Sequence, residues 1–144
     1  MSAKPKSRDS YRVWTTDNIR YSDLDPNGHV NNGAMNAFLE DGRVRFRQEH
    51  LSAVAADTLA GFVVVKFSVE YHAPLYYPGD VDIGTAVSRV GTTSYGLRQA
   101  LFTDQLCVAS AEVVTVSIDT ATAKPKPFSE SWRALFESFL VDFD

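Results

Sequence analysis

The spacing of apolar and polar positions along the chain changes period twice. Residues 11–21, YRVWTTDNIRY, are rich in β-branched and aromatic side chains and predict a strand. From Asn32 to about His50 the period becomes helical. Met35, Phe38, Leu39 and Phe46 recur at steps of three, one and seven and make one apolar stripe. Ala34 and Gly42 are small residues close to that stripe, so the helix is expected to pack closely on a sheet. Glu40, Arg43 and Arg47 line a polar flank, with Glu40 and Arg43 spaced for an ion pair. Residues 51–61 are small and irregular and predict a loop with one more helical turn.

The second half alternates with period two. Val63, Val65, Phe67, Val69 and Tyr71 are expected on one face of a strand, and Lys66, Ser68, Glu70 and His72 on the other. After Pro74, Pro78 and Gly79, further strands are predicted at about 80–90, 93–103 and 106–119. Gly91-Thr92 and Asp104-Gln105 are short enough to close hairpins between them. A KPKP run at 124–127 precedes Ser129, a suitable cap for a short amphipathic helix exposing Glu130 and Glu137. The expected order is strand, helix, four-strand antiparallel meander and C-terminal helix. That makes an α+β domain of two layers over residues 11–144, preceded by a disordered tail at 1–10.

Composition narrows the function. With 144 residues the chain is the size of one domain and needs no covalent staples to bury a core. Its 14 basic and 18 acidic residues leave a net charge of −4, the wrong sign for a nucleic-acid backbone as main partner. Cys107 is the single cysteine, and His29, His50 and His72 stand at no metal-binding spacing, so neither a disulfide nor a metal site is expected. No apolar run of membrane-spanning length occurs, and MSAKPKSRDS lacks the apolar core of a signal peptide. A cytoplasmic protein is the expectation.

The candidate chemistry lies in YSDLDPNGHVNN, residues 21–32. Asp25-Pro26-Asn27-Gly28 suits a type I turn, and Asn31 suits a helix cap. The first helical turn has backbone N–H groups without intrahelical partners at the positive end of the helix dipole. A carbonyl oxygen aimed there is stabilised as it gains negative charge. Gly28 lets the backbone turn tightly beside a ligand. Each residue also has a purely structural reading: Asp23 and Asp25 as turn formers, His29 as a loop histidine, Asn31 and Asn32 as caps, Met35 and Phe38 as core.

With YHAPLYYPGDVDIGTAVSRVGTTSYGLRQAL and VSIDTATAKPKPF, that motif resembles the 4-hydroxybenzoyl-CoA thioesterase family of hotdog-fold acyl-CoA thioesterases, over residues 11–128. The resemblance implies a long central helix on a curved five-stranded antiparallel sheet, with two subunits joined sheet edge to sheet edge and sites at the interface. It assigns Asp25 as the catalytic carboxylate and the backbone N–H near Asn32 as the donor that polarises the thioester carbonyl, with His29 orienting substrate or water. Tyr21, Gly28, Val30, Asn31 and Met35 would bind substrate, and Arg89, Thr93, Ser94 and Tyr95 would meet the coenzyme A arm. No cofactor is needed, because coenzyme A is part of the substrate; acyl carrier protein is an alternative carrier. A homodimer, or a tetramer of two dimers, is implied.

Asp25 would act either as nucleophile or as base toward water. Two departures stand out. Met35 and Phe38 replace tyrosines of many relatives, and the second hairpin carries only Arg89 where some relatives gather cations for the coenzyme A phosphates. Arg43, Arg47 and Arg98 are the alternative cations. The competing readings are hydration or dehydration of an acyl thioester, and acyl-CoA binding without catalysis.

Overall fold

The computed structural model describes residues 2–54 and 60–143. Among the described residues the strands and α-helices are, in order, β1 (Val13–Asn18), α1 (Asn32–His50), β2 (Phe62–Tyr71), β3 (Asp80–Val90), β4 (Ser94–Thr103), β5 (Leu106–Ser117) and α2 (Glu130–Glu137). The helical turn expected within 51–61 falls in part on 55–59, which lie outside the described residues. The strands form one antiparallel sheet in the order β1-β3-β4-β5-β2.

That order corrects the expected meander. β3, β4 and β5 do follow one another through short connections, with Asp104 in the left-handed region at φ 51. β2, however, pairs with β5 at the far edge and not with β3. The segment 72–79 that follows β2 is eight residues long and holds two prolines, which lack the N–H a tight hairpin uses. It crosses the end of the sheet instead.

Helix α1 lies across the inner face of the sheet. Met35, Phe38 and Leu39 pack with Val81, Ile83, Leu101, Ala109 and Ala111, while Phe46 joins Val87, Leu97, Val113, Trp132 and Phe136. Gly42 makes the close approach: a Cβ there would meet Ile83 Cγ2 at 2.5 Å. Gln99 on β4 ties the layers by donating to Leu39 O at 3.0 Å and Thr85 Oγ1 at 3.1 Å, and its Oε1 accepts from Arg43 at 3.2 Å. Arg43 therefore turns into the interface, over the Phe67 ring, and makes no ion pair with Glu40 among the described residues. Burial holds its pKa below the ordinary arginine value.

A shift in register between Val64 and Lys66 breaks the alternation expected for β2. Past this bulge the faces exchange, so Phe62 rather than Val63 packs inward and Val63, Val64 and Val65 are all exposed. Residues 2–10, expected as a disordered tail, run along the other face of the sheet. Ala3 bridges to Phe143, Tyr11 donates to Pro5 O at 2.6 Å, and Arg8 pairs with Asp82 at 2.7 Å while lying over Trp14.

β1 and α1 also meet through charge. Asp17 faces Asp41 and Arg45, with Arg45 Nη1 at 3.7 Å from Asp17 and 3.5 Å from Asp41. Partial burial and the hydrogen bond to the Asp41 carboxyl raise Asp17 to about 6, against the opposing pull of Arg45 and Arg20. A folded-state pKa above the unfolded value gives stability that is complete below the unfolded pKa and is lost as pH rises through about 6. Asp17→Asn should therefore melt at a temperature that gains on wild type as pH increases from 5 to 7.5. Parallel melting curves for the two proteins would contradict this.

Candidate active site

The corner between β1 and α1 is fixed by its own polar groups. Tyr21–Asp23 forms a single 3-10 turn, and Asp23 is buried with its carboxylate accepting the Arg20 N–H at 2.8 Å. Its carbonyl accepts from Asn31 at 2.9 Å, and Val30 N–H donates to Leu75 O at 2.8 Å. Asp23 is thus the brace of the loop. The type I turn closes from Gly28 N–H to Asp25 O at 3.0 Å, with Gly28 at φ +79 where a side chain would be strained. Strand β1 ends at Asn18, earlier than the sequence pattern suggested, because residues 20–31 use their hydrogen bonds in this loop.

Asn31 caps α1 through its side-chain oxygen, which accepts the Ala34 N–H at 2.7 Å; its carbonyl accepts from Met35 at 3.1 Å. The N–H groups of Asn32 and Gly33 are left without a protein acceptor among the described residues. Half-buried Asp25 uses one oxygen, Oδ1, to accept from Asn27 N–H at 2.8 Å and His29 N–H at 3.2 Å. Its Oδ2 accepts nothing among the described residues. Both readings of Asp25 hold together: one oxygen shapes the turn and the other stays open.

Asp25, His29, Val30, Asn32 and Met35 line one cleft of about 300 Å³, closed on the other side by Tyr71, His72, Ala73 and Pro74. Buried Val30 and Met35 make an apolar floor continuous with the core. The four residues from the end of β2 escaped the sequence reading. The signal in the sequence was that YHAP, residues 71–74, opens one of the stretches that carry the family resemblance. Tyr71 donates to Asn36 Oδ1 on α1 at 2.7 Å, and His72 Nε2 meets Ser110 Oγ at 2.8 Å. Partial burial, then repulsion from Lys6, lower the His72 pKa against the pull of Glu70, so its ring is neutral near pH 7.

Other expected substrate residues lie elsewhere. Tyr21 stands outside the cleft, exposed, with its ring edge on Tyr77. Gly28 and Asn31 shape the loop without lining the cleft. Arg89, Thr93 and Ser94 sit at the opposite end of the sheet: Ser94 is level with Val116 and Tyr71 with Ala109, seven residues or about 23 Å along β5. Tyr95 is fully buried against Phe136, Trp132 and Phe128, where desolvation raises its pKa, so it packs as a core residue. A larger cavity of about 420 Å³ opens at that end between Phe62, Ser117, Lys126, Phe128 and Trp132. Its described lining holds no carboxylate and no histidine, so it lacks the groups for hydrolysis.

A long helix on a five-stranded antiparallel sheet is the hotdog fold. The model of the thioesterase-like superfamily matches residues 19–136, and the chain belongs to that family. It is 32% identical over 123 residues to the acyl-CoA thioester hydrolase YbgC of Escherichia coli O6:H1, covering 83% of this chain and 91% of that one. Among solved structures it superposes on a Thermus thermophilus thioesterase complexed with coenzyme A and Zn, with a TM-score of 0.80, 26% identity and coverage of 91% and 96%. A predicted thioesterase from Bacillus stearothermophilus shares the fold with a TM-score of 0.82 at 23% identity, over 92% of this chain and 98% of that chain.

Replacing the cap tests how the helix start is held. Asn31→Ala should lower unfolding stability by about 1 kcal/mol, measured by urea titration, because the Ala34 N–H loses its acceptor. An unchanged midpoint and slope would show that water serves the amide equally well.

Proposed function

We propose that this chain hydrolyses acyl-CoA thioesters, with Asp25 as the carboxylate that starts the reaction. The observation that carries the reading is the meeting of Asp25 and Asn32, the first residue of α1, in one cleft over an apolar floor. The thioester carbonyl oxygen sits at the Asn32 and Gly33 amides, which stabilise it as the carbonyl carbon becomes tetrahedral. A thioester needs little more than this, because its carbonyl is electrophilic and its thiolate leaves readily. Either Asp25 takes a proton from water, whose oxygen then bonds to the carbonyl carbon, or its oxygen attacks directly and the resulting anhydride is hydrolysed in a second step. Collapse of the tetrahedral species expels the coenzyme A thiolate, and the acid departs. The His29 ring, on the cleft wall, is placed to orient water or substrate.

Asp25→Asn keeps the hydrogen-bond acceptor that Asn27 and His29 use, so the loop should survive. Hydrolysis of acyl-CoA should fall by about 10²–10⁴, followed as release of free thiol. Wild-type turnover in this variant would remove Asp25 from the mechanism. Conversion of an enoyl- or 3-hydroxyacyl-CoA with the thioester left intact would favour hydratase chemistry instead.

The working unit is a homodimer joined through β2. This strand is an open edge of the sheet, with Val63, Val64 and Val65 exposed along it. Pairing antiparallel with a second copy would set one subunit's Tyr71 end beside the other's Phe62 end. The partner's large cavity and its hairpin carrying Arg89, Thr93 and Ser94 would then flank the cleft that the single chain leaves short. A Val63→Asp, Val65→Asp double variant should weaken self-association by at least about 100-fold in analytical ultracentrifugation, since a charge buried at the seam has no counter-ion, and activity should fall with it. Full activity from a monomeric variant would contradict the shared site.

A further inference from the structure

We infer that the hydrogen bond between Tyr71 and Asn36 is a gate on the length of the acyl group; this rests on the thioesterase reading above. Tyr71 is the last residue of β2 and lines the cleft. Its Oη donates to Asn36 Oδ1 at 2.7 Å, so the bond joins the edge strand to α1 beside the cleft. Val69, two residues earlier, packs into the core beneath the helix, and the period of the strand turns Tyr71 the same way.

The helix sets where the bridge falls. Asn32 and Asn36 are four residues apart on one face of α1, about 6 Å from each other. A thioester carbonyl held at the Asn32 amide therefore has the bridge one turn further along. Zigzag C–C bonds of about 1.5 Å cover that distance in about five steps, so an acyl group of about six carbons ends at the bridge.

The floor offers no other way. Val30 and Met35 are 2% and 3% exposed and share one buried cluster with Leu39, Leu75 and Val81. A core packed at this density has no room for a chain. Ala73 and Pro74 form the facing wall, and the cleft, about 300 Å³, is small for a ligand site. The bulky polar carrier leaves by the mouth, so the acyl group runs along α1 toward Asn36. In the proposed dimer the partner's edge strand passes beyond Tyr71, and the bridge closes the passage from cleft to seam.

Neither side chain is chosen for local stability. Asparagine is a poor helix former away from a cap, and the cap of α1 is Asn31. Tyr71 has only Ala109 as its cross-strand partner and stays 38% exposed. A ring held at its tip by one hydrogen bond swings aside when that bond is lost, which a wall of packed core side chains does not.

Thiol release from hexanoyl-CoA and decanoyl-CoA tests the gate. Wild type should have a kcat/KM about tenfold higher for hexanoyl-CoA, because the longer chain must first break the bond. Tyr71→Phe and Asn36→Ala each remove the bond alone, and each should raise the decanoyl-to-hexanoyl ratio of kcat/KM by about fivefold. Combining them should shift the ratio no further, since both lose the same bond. Tyr71→Ala also removes the ring and should raise the ratio by about 30-fold, as the extra methylenes gain apolar cover.

A wild-type preference for decanoyl-CoA, or ratios unmoved in Tyr71→Phe and Asn36→Ala, would overturn the gate. So would effects of these two that simply add. If wild type releases no thiol from either compound, the hydrolase reading falls by itself. The same ratio is then read as Kd for the two acyl-CoAs by calorimetry: a ratio that moves in the variants keeps the gate, and a fixed one removes it. Thermal melts check each fold, and Asn36→Ala, which puts a better helix former into α1, serves if Tyr71→Ala melts early.

Discussion

Everything at the cleft depends on how the first turn of α1 is shared out. A helix begins with four amides that its own carbonyls cannot reach. Asn31 accepts the Ala34 amide with its side chain and the Met35 amide with its carbonyl, and the described residues offer no acceptor to Asn32 and Gly33. A cap that satisfied all four would make a more stable corner with no place for an oxyanion. The loop 21–31 supports this arrangement by spending its polar groups inward: Asp23 braces the backbone, and Asp25 gives only one of its two oxygens to the turn.

The layers beneath keep that geometry in place. Gly42 lets α1 settle onto Ile83, and Gln99 bridges helix, β3 and Arg43 with all its described bonds inside the core. Burying the Arg43 charge in this setting is unfavourable unless its donors are used, which is why Gln99 and the Phe67 ring matter to the position of the helix. The same interface places Met35 under the cleft, so core packing and the shape of the cleft are one property. The open β2 edge belongs to the same logic, because the carboxylate cleft and the larger aromatic cavity lie at opposite ends of one strand. Two copies related by a two-fold axis across this edge, as in the proposed dimer, would bring unlike ends together.

Much of this was legible along the chain, because it depends on short-range chemistry. The 3.6-residue period of Met35, Phe38, Leu39 and Phe46 located α1, the Asp-Pro-Asn-Gly signature located the turn, and Asn31 and Ser129 cap the helices as their side chains allow. The small residue at position 42 foretold the close approach of helix and sheet. The likeness of residues 21–32 to a thioesterase motif pointed to the right family, because that combination of acids, Gly, His and Asn before a helix has no use in a plain turn.

Other features were settled only by distant parts of the chain meeting. Nothing local says that β2 passes β3 and pairs with β5, since any antiparallel neighbour satisfies the same alternation. The bulge at Val64–Lys66, which turns Val63 outward, is a matter of register against β5. Tyr95 looks like any other strand tyrosine until Phe136 and Trp132 close over it from a helix some forty residues away. Tyr21 and Tyr77 are likewise far apart in sequence, and the pairing at the end of the β1–β3 ladder brings their rings edge to edge. Local hydrogen bonding and periodicity determine which elements form and where they start; which side chains share a space is decided by long-range pairing, whose partners a one-dimensional pattern does not specify.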